Sequence, residues 1–212
     1  MITLEMVQRQ WPHGDQHIPG LIEGIVASAA TVFPKYNVDT AMAVAHFMAQ
    51  ASEECGCGLE MLENMNYTAQ RLRQIFPTHF TPTMAERWAH NPRVIADIAY
   101  GGRMGNAPYP SDDGWSYRGA GLTQVTGRDG VTALQKKLDE MTAGFNIIDN
   151  PELIVDPEYT LECGVADWVV CGCLSYAKAD DVINETKHLN GGLNGLAERR
   201  RQLALWKKEL GL

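Results

Sequence analysis

Apolar residues recur at three- and four-residue intervals through most of the chain, the spacing that turns one face of an α-helix toward a core. From Leu21 to Phe33 the pattern is unbroken and ends at Pro34, which predicts a helix stopped there. Asp39 and Thr40 offer a cap for a second helix from Ala41 to about Cys55. Weaker patterns predict helices from Thr68 to Phe76, from Thr83 to His90, and from Pro92 to Tyr100, the last with proline at its first position. Val131 to Met141, Tyr159 to Val170, Ala179 to His188 and Gly195 to Leu210 complete the helical set.

The pattern fails between Tyr100 and Gly130, in "YGGRMGNAPYPSDDGWSYRGAGLTQVTGRDG". A polar, glycine-rich stretch of this length inside a compact domain is usually functional or disordered. Its aromatic residues and the alternating "LTQVT" favour order and predict a short strand. There is no long repeat, low-complexity run or linker. The expectation is a single mainly α domain over residues 1–212, in one or two lobes, with one large inserted surface.

Charge narrows the partners. A net charge of −8 disfavours nucleic acid and anionic membrane as main partners. Against that background, Arg199-Arg200-Arg201 reads as a solvated helix face. No run approaches the ~18 apolar residues of a membrane span, so no stable membrane insertion is expected. The opening "MITLEMVQRQWPHGD" lacks a basic start followed by an apolar stretch. The expectation is synthesis in a cytoplasm, with any export by another route.

Five cysteines suit a reducing compartment. Cys55-Gly56-Cys57 and Cys171-Gly172-Cys173 are C-x-C pairs, not the C-x-x-C of zinc sites, and read as small buried thiols near helix ends. His13 and His17 have H-x-x-x-H spacing, but Pro12, Gly14 and Pro19 oppose a helix there. Neither a metal nor another cofactor is expected.

The acids around residues 49–69, "AQASEECGCGLEMLENMNYTA", carry the candidate chemistry. At about 100° per residue, Glu54 falls on the stripe of Phe47, Met48 and Ala51, while Glu53 points about 100° away toward the polar side. A glutamate at the end of a core-facing stripe is desolvated, which raises its pKa and suits a general acid. The competing reading is a buried glutamate that only bonds backbone amides or a cation. A second carboxylate has two sources, Glu60 and Glu63. On a continuous helix Glu63 would lie about 13.5 Å from Glu54 along the axis, but Gly56 and Gly58 allow the chain to fold back. Spacing alone does not choose between the two.

Five segments, "FMAQASEECG", "ENMNYTA", "YGGRMGN", "DGWSYRGAGLTQVTG" and "LNGGLNGLAERR", together resemble the pattern of glycoside hydrolase family 19. The likeness runs in order from about Phe47 to Arg200. The short chain is most similar to the bacteriophage endolysin branch of that chitinase family. The resemblance implies a lysozyme-like, two-lobed helical fold with a central cleft and at most a small β element. It implies Glu54 as catalytic acid and Glu63 as general base, with Thr126 holding the attacking water and Gln124 contacting sugar. Asn190 and Arg199 match residues that support the acidic pair. Tyr67, Trp115 and Tyr117 offer flat faces for sugar rings, with core packing as the alternative. Gly191, Gly192 and Gly195 are expected to shape the turn into the last helix.

Two positions depart from that pattern. Glu53 stands where histidine is usual, which puts the pH optimum in question. Ala120 stands where arginine is frequent, which affects cleft contacts. The expected activity is endo-hydrolysis of the β-1,4 glycan of bacterial peptidoglycan by an inverting mechanism, by a monomer released to the periplasm through a pore-forming partner. The alternatives are a chitinase acting on poly-N-acetylglucosamine and an inactive wall-binding module.

Overall fold

The computed structural model describes residues 1–212 and contains twelve α-helices and no sheet. The helices are α1 (Leu4–Gln10), α2 (Leu21–Lys35), α3 (Ala41–Glu54), α4 (Ala69–Ile75), α5 (Pro82–Trp88), α6 (Pro92–Tyr100), α7 (Asp113–Ser116), α8 (Gly127–Glu140), α9 (Thr160–Val170), α10 (Cys173–Lys178), α11 (Val182–Asn190) and α12 (Leu196–Glu209). Short 3-10 turns cover Gly56–Gly58 and Pro151–Val155.

Side-chain caps set several starts. Thr40, Thr68, Thr81 and Asn91 each accept a bond from the backbone N–H three residues on, satisfying a donor that the first turn leaves free. Pro34 sits inside the last turn of α2 and does not stop it; only Lys35 follows, so the missing N–H disturbs little. The helix expected from Ala179 starts three residues later, because Asp180 takes a left-handed conformation and Asp181 caps Asn184. Helices α1, α7 and α10 have no counterpart in the expected set; α7 and α10, of four and six residues, are too short to show a periodicity in the sequence.

The strand expected at "LTQVT" does not form. Gly121 (φ +79°) and Gln124 (φ +56°) interrupt the extended run, leaving isolated bridges of Ala120 with Leu62 and with Val125.

Two hydrophobic clusters make the two lobes. The larger has 38 buried residues and draws on helices α1–α3, α8–α10 and α12, with α11 packed against it; the smaller has seven, from Met65 to Ala99, with Trp115 packed on it. The small lobe is thus one continuous stretch of chain. Met61 is buried in the large core and Met65 in the small one, so residues 61–65 cross between them. Residues 115–117 cross back, with Trp115 against the small core and Tyr117 in the large. The two crossings lie side by side through Glu63 N–H to Gly119 O (2.8 Å) and Gly121 N–H to Met61 O (2.8 Å). Glu63 sits midway along the first.

Helix α3 runs through the large core, buried continuously from Ala43 to Ser52, with α12 along it. Its supposed polar side is therefore an interface, not a solvated face.

Candidate active site

Helix α3 ends on Glu54. Gly56, Cys57 and Gly58 then take left-handed conformations at φ +54°, +55° and +89°, which reverse the chain. A side chain at Gly58 would lie 2.8 Å from Gly14 O and 3.1 Å from Leu21, so glycine is required for the turn to close on the N-terminal segment.

Glu54 is largely buried and paired with Arg199 of α12, whose Nη2 donates to Oε1 at 2.6 Å. The same guanidinium donates Nη1 to Gln50 Oε1 (2.5 Å) and Nε to Asn194 O (3.2 Å). Arg199 is therefore buried, while Arg200 and Arg201 are exposed, so the expected solvated basic strip holds for only two of its three members. Glu53 does not point to solvent. Its carboxylate packs on the backbone at Gly195, where an added side chain would come within 2.2 Å of Oε1. Burial pushes the Glu53 carboxyl above its ordinary range, countered in part by the charge of Arg199 and reinforced by Glu198 and Glu54.

Glu63 has different company. Tyr100 of α6 donates its hydroxyl to Oε1 (2.7 Å), and Gly119 N–H approaches Oε2 (3.3 Å). Burial first, then the hydrogen bond and charge of Glu63, holds the Tyr100 phenol well above its ordinary pKa and keeps it a donor. A Cβ at Gly119 would meet Gln124 Oε1 at 2.9 Å and Glu63 Cβ and Thr126 Oγ1 at 3.4 Å each. The bare face of Gly119 thus marks the point where Glu63, Gln124 and Thr126 converge. Thr126 donates its hydroxyl to Gln124 O (2.9 Å), and Gln124 donates Nε2 to Glu60 O (2.8 Å) and Gly121 O (3.0 Å). Arg118 stacks on the Trp115 ring at 3.7 Å and donates to Trp115 O (2.7 Å).

An open groove of about 770 Å³ is lined by Glu63, Tyr67 and Gln124 together with Gln16, His17, Leu59, Glu60, Leu62 and neighbouring residues. Glu54, Thr126, Asn190 and Arg199 lie outside that lining. Of the aromatic residues proposed to meet sugar, Tyr67 faces the groove. Tyr117 is buried, with Arg128 over its ring and its hydroxyl on Ile148 O (2.9 Å), so its face is not available. One face of Trp115 is taken by Arg118. Asn190 ends α11 with a buried Oδ1 that has no partner, and it makes no hydrogen bond to either glutamate.

Several groups here were not evident in the sequence. Tyr100, Gly119 and Arg118 lay inside motifs whose individual members had no assigned part. Asp167 of α9 is buried, and burial pushes its carboxyl up to about 6, with the charge of Glu54 adding and a hydrogen bond from Thr123 opposing. No three His, Cys, Asp or Glu side chains are grouped to hold a metal. All five cysteines are free thiols, and burial pushes Cys55 up to about 12.

No protein-family model matches the chain. A "glycosyl hydrolase family 19 domain-containing protein" of Haemophilus influenzae is 33% identical over 182 residues, 85% of this chain and 86% of that protein. Among solved structures, chitinase C from Streptomyces griseus superposes with a TM-score of 0.56 at 17% identity, over 99% of this chain and 92% of that one. A bacterial family 19 chitinase gives 0.59 at 15% identity, over 100% and 95%. These two structures show the same helical fold.

Proposed function

Because the chain belongs to glycosyl hydrolase family 19 and is a glycoside hydrolase, we propose that it cuts the β-1,4 glycan of bacterial peptidoglycan from within, with inversion. What supports this reading is that two glutamates are held by separate partners. Glu54 is tied to the rigid large lobe through Arg199, and Glu63 sits on the crossing segment beside Gln124 and Thr126.

In this reading Glu54 protonates the leaving glycosidic oxygen. Glu63, aimed by Tyr100 and Gly119, accepts a proton from water, and the Thr126 hydroxyl fixes that water. Tyr67 and Gln124 line the path of the glycan. An open groove, unlike a tunnel, accepts a polymer with a peptide branch on alternate sugars. No helix is long and apolar enough to cross a membrane. We place its action in the periplasm after release from the cytoplasm by a pore-forming partner.

A chitinase is the second reading, supported by the fold shared with two solved chitinases. Both polymers should be digested side by side. Mass spectrometry of peptidoglycan fragments is expected to show hydrolytic reducing ends, and proton NMR of the first products an α-anomer. Anhydro ends would identify a lytic transglycosylase, an initial β-anomer would remove Glu63 and Thr126 from these roles, and cleavage of chitin alone would establish the second reading. Unchanged turbidity of permeabilised Gram-negative cells, with neither polymer cut, would leave a binding module.

A further inference from the structure

The ion pair at Glu54 is one end of a buried polar chain that runs back into the large lobe. On α3, His46, Gln50 and Glu54 follow one another at four-residue intervals and share one face, toward α11 and α12. Arg199 Nη1 donates to Gln50 Oε1 at 2.5 Å, and Gln50 Nε2 donates to Thr186 Oγ1 at 3.3 Å. Thr186, fully buried on α11, donates its hydroxyl to Val182 O at 2.7 Å. The chain therefore has one direction. With its proton committed to Val182, Thr186 Oγ1 can only accept, so Gln50 must present its NH₂ to Thr186 and its oxygen to Arg199. A flipped amide would set oxygen against oxygen and NH₂ against guanidinium.

Helix α11 is itself pinned beside α3. His46 bonds Glu185 Oε2 through Nδ1 (2.6 Å) and Asp180 Oδ1 through Nε2 (2.9 Å), and Trp168 Nε1 donates to Glu185 Oε1 (3.0 Å). Thr186 follows Glu185 on this helix and is fully buried.

We infer that Gln50 and Thr186 are positioning residues that fix the Arg199 guanidinium on Glu54 and so set the geometry of the acid. This rests on the reading of Glu54 as the proton donor. The charged groups around Glu54 are Glu53 on its own helix, Arg199 from α12 and Asp167 from α9; Glu198 and Arg201 face Glu53. A carboxylate at position 50 would compete for Arg199 and add negative charge beside Glu54.

The test compares Glu54→Gln, Gln50→Glu, Thr186→Val and Thr186→Ser with the parent on solubilised peptidoglycan strands, with thermal melts of each. Thr186→Val is expected to lower kcat about 10- to 100-fold with KM within about twofold, and Thr186→Ser to restore it. Gln50→Glu is expected to stay folded and to move the alkaline limb of the kcat profile to higher pH. Losses that track only the folded fraction, with the pH limb unmoved in Gln50→Glu, would overturn the inference, as would unchanged kcat in Thr186→Val. Should Thr186→Val not fold, Gln50→Glu decides alone. An active Glu54→Gln would remove the assignment of the acid itself; an inactive one beside unaffected Gln50 and Thr186 variants would remove the positioning chain only.

Discussion

The two ends of the proposed site are built differently. Glu54 belongs to the large lobe and is held by a guanidinium that is itself fixed by two further acceptors, Gln50 Oε1 on α3 and the Asn194 carbonyl just before α12. Glu63 belongs to neither lobe. It rides a short crossing, and its donors are neutral: a phenol from the small lobe and a backbone amide from the returning crossing. Two identical side chains thus meet different chemistry because one is buried among ionic partners and the other lies at a junction of lobes.

Breaking the ionic end is expected to have the largest effect. Glu54→Gln should lower kcat by roughly 10²–10⁴-fold, the usual contribution of a general acid, in a protein that still melts cooperatively. Glu53→Gln, its neighbour, should keep most activity and shift the pH profile, since Glu53 is held by burial against Gly195. The reverse ranking would show that the wrong glutamate of the pair has been assigned.

On the neutral side the expected losses are smaller. Thr126→Val removes one hydroxyl and should slow turnover about 10- to 100-fold, measured on glycan strands under single-turnover conditions. Tyr100→Phe leaves Glu63 one donor short and should lower kcat about tenfold with the fold unchanged. A loss as large as that of Glu54→Gln would mean that Tyr100 does more than hold Glu63.

The smallest effect on activity is expected at Asp167, where the change is in stability. Its carboxyl moves from 3.8 to about 6 on folding, so the folded state binds the proton more tightly than the unfolded chain. By linkage, stability falls as pH rises from about 3.8 through 6, and the full penalty remains above that. Asp167→Asn should therefore stabilise the protein at pH 8 by up to about 3 kcal/mol and give no gain at pH 3, as read from chemical denaturation. Dialysis against a strong chelator is expected to leave activity unchanged.

The sequence by itself determined the helical character, because a 3.6-residue apolar period and local caps are properties of neighbouring residues. It placed a helix from Ala41 to about Cys55, one residue beyond the observed end of α3 at Glu54, another from Pro92 to Tyr100 as observed for α6, and the break at Gly56 and Gly58. It also gave the family motifs, since these are runs of adjacent residues. Tertiary structure alone decided what those residues touch. Periodicity assigned Glu53 to a polar side, but that side is covered by α12. The three arginines at 199–201 are equivalent as a charge run, yet only Arg199 turns inward. Tyr117 and Tyr67 are equal as aromatic rings, but one is sealed under Arg128 and the other faces the groove. Even the strand at "LTQVT" failed for a reason that alternation does not carry, the left-handed conformation of Gln124. Such contacts join residues far apart in the chain, 149 positions in the case of Gln50 and Arg199, and no local pattern in the chain encodes which distant groups will meet.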